Sequence, residues 1–505
     1  MLTKLLLTVS CCLSLFSGGD DETLQEFKKY FRKYTDSATR VEAILALDSV
    51  EDPGVVDVLV PLLGDADPLI VDATRRVLST FKTGPPIVRL VEVLEKAKKE
   101  PERVGLLGVL REGGYTPLGE PVHKCLLDKA WTVRRGAIEA LVASREEGVV
   151  ARLVPMCADK EIAVRCAALD GLAALAADEV RAPAVAALTD QAWQVRASAI
   201  AALGLVRHTS SIPPLLERLE LEEGRLKADA AAALDRLTGR NFGTRLELWK
   251  QFWASYGERY QIPTDEELAT LRAKQAARKA EYQGAPGSTV YHGVDSPSRR
   301  IVFVIDVSGS MEDEVVDKER FAGTQYPSWS RMDIVKTELA RTIEALESYV
   351  EFQIIAFATE TKSWKKDLVP ANVLNKSSAI DFVKRLAPLG GNSKSDLASA
   401  GLTGAANLEA GKTNTYAALA DALRLEAGTG TREAYAAEID TIFFLSDGMP
   451  TVGTWIDTED ILREVREGNA LRKIVLHTIA IGRFDKIFMQ RLASENGGVF
   501  VDLGG

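Results

Sequence analysis

At 505 residues the chain is too long for a single hydrophobic core, so two or three domains are expected. Its 46% hydrophobic and 27% charged residues are those of ordinary globular protein. A formal net charge of −10 argues against nucleic-acid and acidic-membrane partners, because counterion release requires cationic surface. The four histidines are scattered and no H-E-x-x-H or C-x-x-C spacing occurs, which argues against a zinc site.

The chain opens with Lys4 as its lone charge, an apolar run from Leu5 to Phe16, and small residues Ser17-Gly18-Gly19 ahead of Asp20-Asp21. This layout reads as a signal peptide over 1–19, and the run is too short to span a bilayer. Export to a periplasm, a cell surface or the medium follows as the expectation. Cys11 or Cys12 is an alternative point for a lipid anchor, although Thr8-Val9-Ser10-Cys11 fits a lipobox poorly. No other segment reads as transmembrane. Removing the leader leaves Cys125, Cys157 and Cys166, too few and odd in number for a disulfide framework.

Residues 20–240 repeat. Thr39, Ile70, Glu102, Val133, Val164, Val195 and Leu226 stand 31 or 32 residues apart, each followed eight positions later by Leu. The next position is basic in all but one copy, as in Arg40, Arg103, Arg134, Arg165 and Arg196. Five positions earlier stands Asp65, Asp128, Asp159 or Asp190. Each unit reads as two helices, the first often holding a proline (Pro61, Pro155, Pro183), the second carrying V-R-x-A-A-L. So small a helix pair cannot bury its own face, so neighbours must stack into an α-solenoid. The copies resemble HEAT repeats in the short form also seen in phycobilisome-lyase-like proteins. The Asp and Arg columns are expected to link the turns structurally and not to bind a ligand.

Residues 241–298 form a connector. Leu246, Trp249, Trp253 and Tyr256 recur at helical spacing, suited to capping the solenoid's open end. A charged helix follows over 264–282, then the linker Gly284-Ala285-Pro286-Gly287-Ser288.

Residues 299–505 alternate strand and helix. Strands are predicted over 301–305, 352–357, 441–445, 474–481 and 499–503, and helices over 331–346, 377–386, 413–426, 459–472 and 486–495. Such alternation means a parallel sheet covered on both faces. The first strand, Ile301 to Ile305, is a continuous β-branched and aromatic run that ends in Asp306-x-Ser308-x-Ser310. Thr413 opens a later helix, and the strand Thr441 to Leu445 ends in Ser446-Asp447-Gly448. Open α/β sheets place ligands beyond the carboxyl ends of their strands. If the two strands are neighbours there, hard oxygen donors from three loops converge, which suits Mg²⁺.

This combination resembles a von Willebrand factor A domain with its metal-ion-dependent adhesion site, at Asp306, Ser308, Ser310, Thr413 and Asp447. The fold implied is a multidomain chain: an all-α HEAT-like solenoid, then an α/β doubly wound, Rossmann-like domain. The resemblance implies Mg²⁺, or Mn²⁺ or Ca²⁺, completed by an Asp or Glu of a protein ligand. Insertions at 312–330 and 392–411 depart from a compact A domain and are expected to rim the crevice.

Two alternatives stand beside this reading. One is a structural scaffold whose A domain docks on its own solenoid. The other is a metal-dependent phosphatase, disfavoured because Ser308 occupies the position where a haloacid-dehalogenase-like enzyme needs its second Asp. Gly411-Lys412-Thr413 imitates a P-loop end, but Ala406 stands where the motif needs Gly.

Overall fold

The computed structural model describes residues 20–276, 289–321, 325–389, 411–425, 438–482 and 484–503. The expected signal peptide 1–19 with Cys11 and Cys12, the linker 284–288 and all but the last residue of the insertion 392–411 lie outside the described residues. The chain divides into two compact units between residues 187 and 188. That division falls inside the repeat array, not at residue 240 or 298 where the composition changes. No described helix is long and apolar enough to cross a membrane.

In the first unit the repeat register becomes helix pairs. The second helices run Ser37–Leu45, Pro68–Leu78, Glu100–Gly113, Trp131–Ser144 and Ile162–Ala174. Ile70, Val133 and Val164 in their first turns are fully buried, as are Leu47, Leu78, Leu110, Leu141 and Leu172 eight residues on. Eight residues are a little over two helical turns, so both positions share one face. Pro61 and Pro155 mark where the first helices tighten into 3₁₀ turns, Val60–Gly64 and Val154–Ala158. Proline removes the donor that an α-turn would need there.

The Asp and Arg columns tie one repeat to the next. Arg134 Nε and Nη2 donate to Asp159 Oδ2 and Oδ1 at 2.8 and 2.7 Å, a bidentate pair, while Nη1 donates to the carbonyls of Asp128 and Lys129. Arg40 reaches the next acid through one bond, Nη2 to Asp65 Oδ2 at 2.9 Å, and Arg103 pairs with Asp128. Each Asp also accepts a backbone N–H two residues on, as Asp128 Oδ1 does from Ala130 at 2.8 Å and Asp159 Oδ1 from Glu161 at 2.9 Å. The columns are therefore structural, each acid fixing its own turn and holding its neighbour's guanidinium.

The second unit begins with the last repeats, including Trp193–Leu205, Ile212–Leu221 and Gly224–Thr238. Arg196 Nε donates to Glu222 at 2.7 Å, so the acid of this link comes from a glutamate. The capping helix is Leu246–Tyr256, but its buried face is Trp249 and Phe252, with Phe242 edge-on to both. Tyr256, expected in the stripe, is half exposed. Spacing alone favours Trp253; one residue is a rotation of about 100° on a helix, and Phe252 faces inward. The charged helix is described over Asp265–Ala276.

Among the described residues nine strands follow: β1 (Thr289–Tyr291), β2 (Val294–Ser296), β3 (Arg300–Asp306), β4 (Glu351–Phe357), β5 (Thr361–Ser363), β6 (Val369–Pro370), β7 (Thr441–Ser446), β8 (Val475–Ala480) and β9 (Phe500–Asp502). The main sheet has the order β5-β4-β3-β7-β8-β9, with β6 also on β4. Strands β4, β3, β7, β8 and β9 are parallel, whereas β5 and β6 pair antiparallel with β4. One face packs on helices Arg331–Ala345 and Val373–Arg385, through Val335, Leu339, Ile343 and Phe382. The other packs on Thr415–Leu423, Thr458–Arg472 and Lys486–Ser494, through Leu419, Ile461, Val465 and Leu492.

Two expectations need correction here. Residues 289–296, assigned above to the connector, form the β1–β2 hairpin, and Tyr291 is fully buried edge-on to Phe303 and Phe443. The insertion 312–330 does more than rim the crevice: Val315 and Phe321 enter the core, and Glu314 bridges Ser330 antiparallel. Within this unit Arg225 donates to the carbonyls of Asp440 and Lys473, just ahead of β7 and β8, and Arg299 pairs with Glu223.

Candidate metal centre

The strand order reverses at β3: the chain adds β4 on one side of it and later β7 on the other. Their register sets Ile305 beside Leu445, so Asp306 and the Ser446-Asp447 pair leave the sheet together at the switch point. Asp306, Ser308 and Asp447 are buried, Thr413 is 5% exposed, and Ser310 is half-buried.

Asp306 Oδ1 accepts from Ser308 N at 2.8 Å, which folds the first loop back over its own carboxylate. Its Oδ2 accepts from Ser446 Oγ at 2.6 Å. Ser308 Oγ and Ser310 Oγ are 3.2 Å apart, and Ser310 Oγ donates to Asp447 Oδ1 at 2.8 Å. Thr413 precedes its helix, for which Asn414 is the N-cap, accepting from Ala417 N. Reciprocal bonds fix its backbone: Thr413 N donates to Thr451 Oγ1 at 2.8 Å, and Thr451 N to Thr413 O at 2.9 Å. Gly448, beside Asp447 in the third loop, faces the other two; a Cβ there would sit 3.5 Å from Thr413 Oγ1 and 3.9 Å from Ser310 Oγ. The five residues singled out in the sequence are thus gathered at one end of β3 and β7, and a Cβ at Gly448 would enter the space between two of their hydroxyls.

Electrostatics distinguish the two carboxylates. Asp447 Oδ2 accepts from Arg331 Nη1 at 2.7 Å, and both side chains are almost completely enclosed. Burial raises Asp447 above its ordinary range, and the bonds from Arg331 and Ser310 oppose that rise. Among the described residues Asp306 is bonded only to hydroxyl and backbone donors. Burial, and then the nearby charge of Asp447, push it up to about 7. An enclosed acid at that level is one whose negative charge is under-compensated.

That imbalance is the fit test for a cation. Among the described residues no group of three or more His, Cys, Asp and Glu converges, so a carboxylate or imidazole cage is not on offer. The donor set is two carboxylates and three hydroxyls, all hard oxygen, which fits Mg²⁺, Mn²⁺ or Ca²⁺ with water in the remaining positions.

Sequence reasoning missed Arg331, Ser446 and Thr451. Arg331 did carry a signal. It is the first residue of a helix capped by Ser330, where a positive charge opposes the helix dipole. A cation in that position needs another reason, and Asp447 supplies it.

Comparison with known proteins agrees with this architecture. Residues 150–235 match the HEAT-repeat family, and residues 327–400 and 400–502 match the von Willebrand factor type A domain family. Among curated proteins, the inter-alpha-trypsin inhibitor heavy chain H1 of Mesocricetus auratus is 29% identical over 203 residues, which is 40% of this chain and 18% of that protein. Heavy chain H4 of Homo sapiens is 29% identical over 211 residues, 41% of this chain and 18% of that one. The chain therefore spans less than a fifth of the length of these relatives. Among solved structures, a von Willebrand factor type A protein from Catenulispora acidiphila is similar at 19% identity, covering 41% of this chain and 39% of its own, with a TM-score of 0.28, too low to bear on function. In sum, the chain carries HEAT repeats followed by a von Willebrand factor type A domain.

Proposed function

We propose that Asp306, Ser308, Ser310, Thr413 and Asp447 hold a divalent cation, Mg²⁺ or else Mn²⁺ or Ca²⁺, and that the centre captures an Asp or Glu of a protein ligand. The repeats serve as scaffold, and the protein works outside the cytoplasm. The observation that carries this reading is Asp306, a fully buried carboxylate bonded to a hydroxyl and a backbone amide. A cation bound there would offer an electrophilic position to an incoming carboxylate oxygen. The chain's own residues do the rest. Ser308 and Ser310 contribute oxygens without formal charge, Thr413 is held by Thr451 as a third, and Ser446 and Arg331 orient the two acids. Similarity to inter-alpha-trypsin inhibitor heavy chains supports an interaction role over catalysis.

The test is a crosslinking pulldown from the native source with wild type and Asp306→Ala, each with Mg²⁺ and with EDTA. Partners recovered only by wild type with Mg²⁺ are the expected result; recovery indifferent to EDTA and to the substitution refutes it. A second reading, the docked scaffold, is favoured by Arg225, whose guanidinium bonds the carbonyls ahead of β7 and β8. It predicts that Arg225→Ala loosens the second unit to proteolysis, whether or not a metal is present.

A further inference from the structure

We infer that Arg331 is a built-in counter-cation of this centre that holds its affinity for divalent ions down. The inference rests on the metal reading just proposed and goes beyond it to a residue outside the donor set. Arg331 is 6% exposed, and its Nη1 bonds both Asp447 Oδ2 at 2.7 Å and the Ser310 carbonyl at 3.1 Å. It therefore touches two of the five donor residues while standing too deep to meet a protein ligand itself. Among the described residues the other charged group facing it is Asp313, at 3.7 Å and mostly exposed, which solvent screens.

The seat is built for a guanidinium. Gly482, at φ +93°, lines it, and a Cβ there would lie 2.5 Å from Arg331 Cζ. The Asp313 carbonyl receives Arg331 N at 2.9 Å, which anchors the helix start against the loop after Ser310. Arg331 also sits against its own helix dipole, so the arrangement persists only because Asp447 compensates it.

Charge counting gives the consequence. Asp306 and Asp447 bring two negative charges and Arg331 one positive, leaving a single negative charge to attract a divalent ion. Without Arg331 both would be available, and Asp447 would no longer share an oxygen with a competing donor. Enclosed charges at contact distance are weakly screened, so the difference should be large.

The experiment is calorimetric titration of the full chain with Mn²⁺ alone, comparing wild type, Arg331→Gln and Arg331→Lys, with circular dichroism confirming folding. Arg331→Gln keeps a hydrogen-bond donor and removes the charge, and is expected to bind Mn²⁺ at least tenfold more tightly. Arg331→Lys keeps the charge and is expected within about threefold of wild type. Tighter binding by Arg331→Gln where wild type shows none also supports the inference. Equal or weaker binding by folded Arg331→Gln overturns it, as does a tenfold change in either direction for Arg331→Lys, which decides the matter should Arg331→Gln fail to fold. Absence of Mn²⁺ binding in all three proteins overturns the metal reading itself, and the inference with it.

Discussion

Replacing Asp306 by Asn should stabilise the metal-free protein at alkaline pH. The carboxyl lies at about 7 in the folded chain against an ordinary 3.8, because it is buried and because Asp447 is close. Below 3.8 both states hold the proton, and the group contributes nothing. As pH rises, the unfolded chain releases its proton first, so folded stability falls until about pH 7 and is then level. At about 1.4 kcal/mol per unit, ionising Asp306 costs the metal-free fold about 4 kcal/mol above that point. Asparagine never ionises, and its weaker bonding to Ser308 N and Ser446 Oγ offsets about 1 kcal/mol of the gain. The net is about 3 kcal/mol at pH 8, roughly a hundredfold in an unfolding equilibrium, shrinking to nothing near pH 4. Hydrogen exchange in EDTA, read at peptides across β3 and β7, measures it, since comparing both proteins at one pH cancels intrinsic exchange. Saturating Mg²⁺ should restore wild type above the variant. Equal protection of the two proteins at pH 8 in EDTA would show that Asp306 is not an under-compensated charge, and the electrostatic argument would fail.

Gly448→Ala should fold normally, since its Cβ would meet Thr413 and Ser310 at ordinary contact distances of 3.5 and 3.9 Å. It should nevertheless lower Mn²⁺ affinity by tenfold or more in a calorimetric titration, because the methyl enters the space between those hydroxyls. Asp447→Ala should abolish Mn²⁺ binding and also lower the α/β domain's thermal stability by about 3–5 kcal/mol, because Arg331 is left buried without its partner. Arg134→Ala breaks the bidentate link to Asp159 at a site nearly closed to water, and should cost about 3–5 kcal/mol locally. Exchange in helices Trp131–Ser144 and Ile162–Ala174 should rise while β3 stays protected.

Much of this was written in the chain because long, uniform signals are hard to mistake. The run Ile301 to Ile305 is β-branched and aromatic throughout, the composition of a strand buried on both faces, and Asp306, Ser308 and Ser310 follow it at fixed spacing. The repeat register survived because it recurs every 31 or 32 residues. What escaped was short or depended on a distant partner. Strands β5 and β6 are three and two residues long, too brief to show a period. The β1–β2 hairpin turns through His292 and Gly293, both at positive φ, but its three-residue strands follow a Gly/Pro linker that masks them. Arg331 opens the helix predicted over 331–346, and only the register of β3 beside β7 brings it to Asp447, 116 residues away.

Tyr291 bears on how the protein should be dissected. A fragment started at residue 299, where the long strand begins, would leave an aromatic-sized hole beside Phe303 and Phe443, a loss of about 3–5 kcal/mol against the roughly 5–15 kcal/mol by which folded domains are stable. Truncations meant to study adhesion in isolation should therefore start upstream of Thr289; a shorter clone that precipitates would report its own cut site and say nothing about the cation.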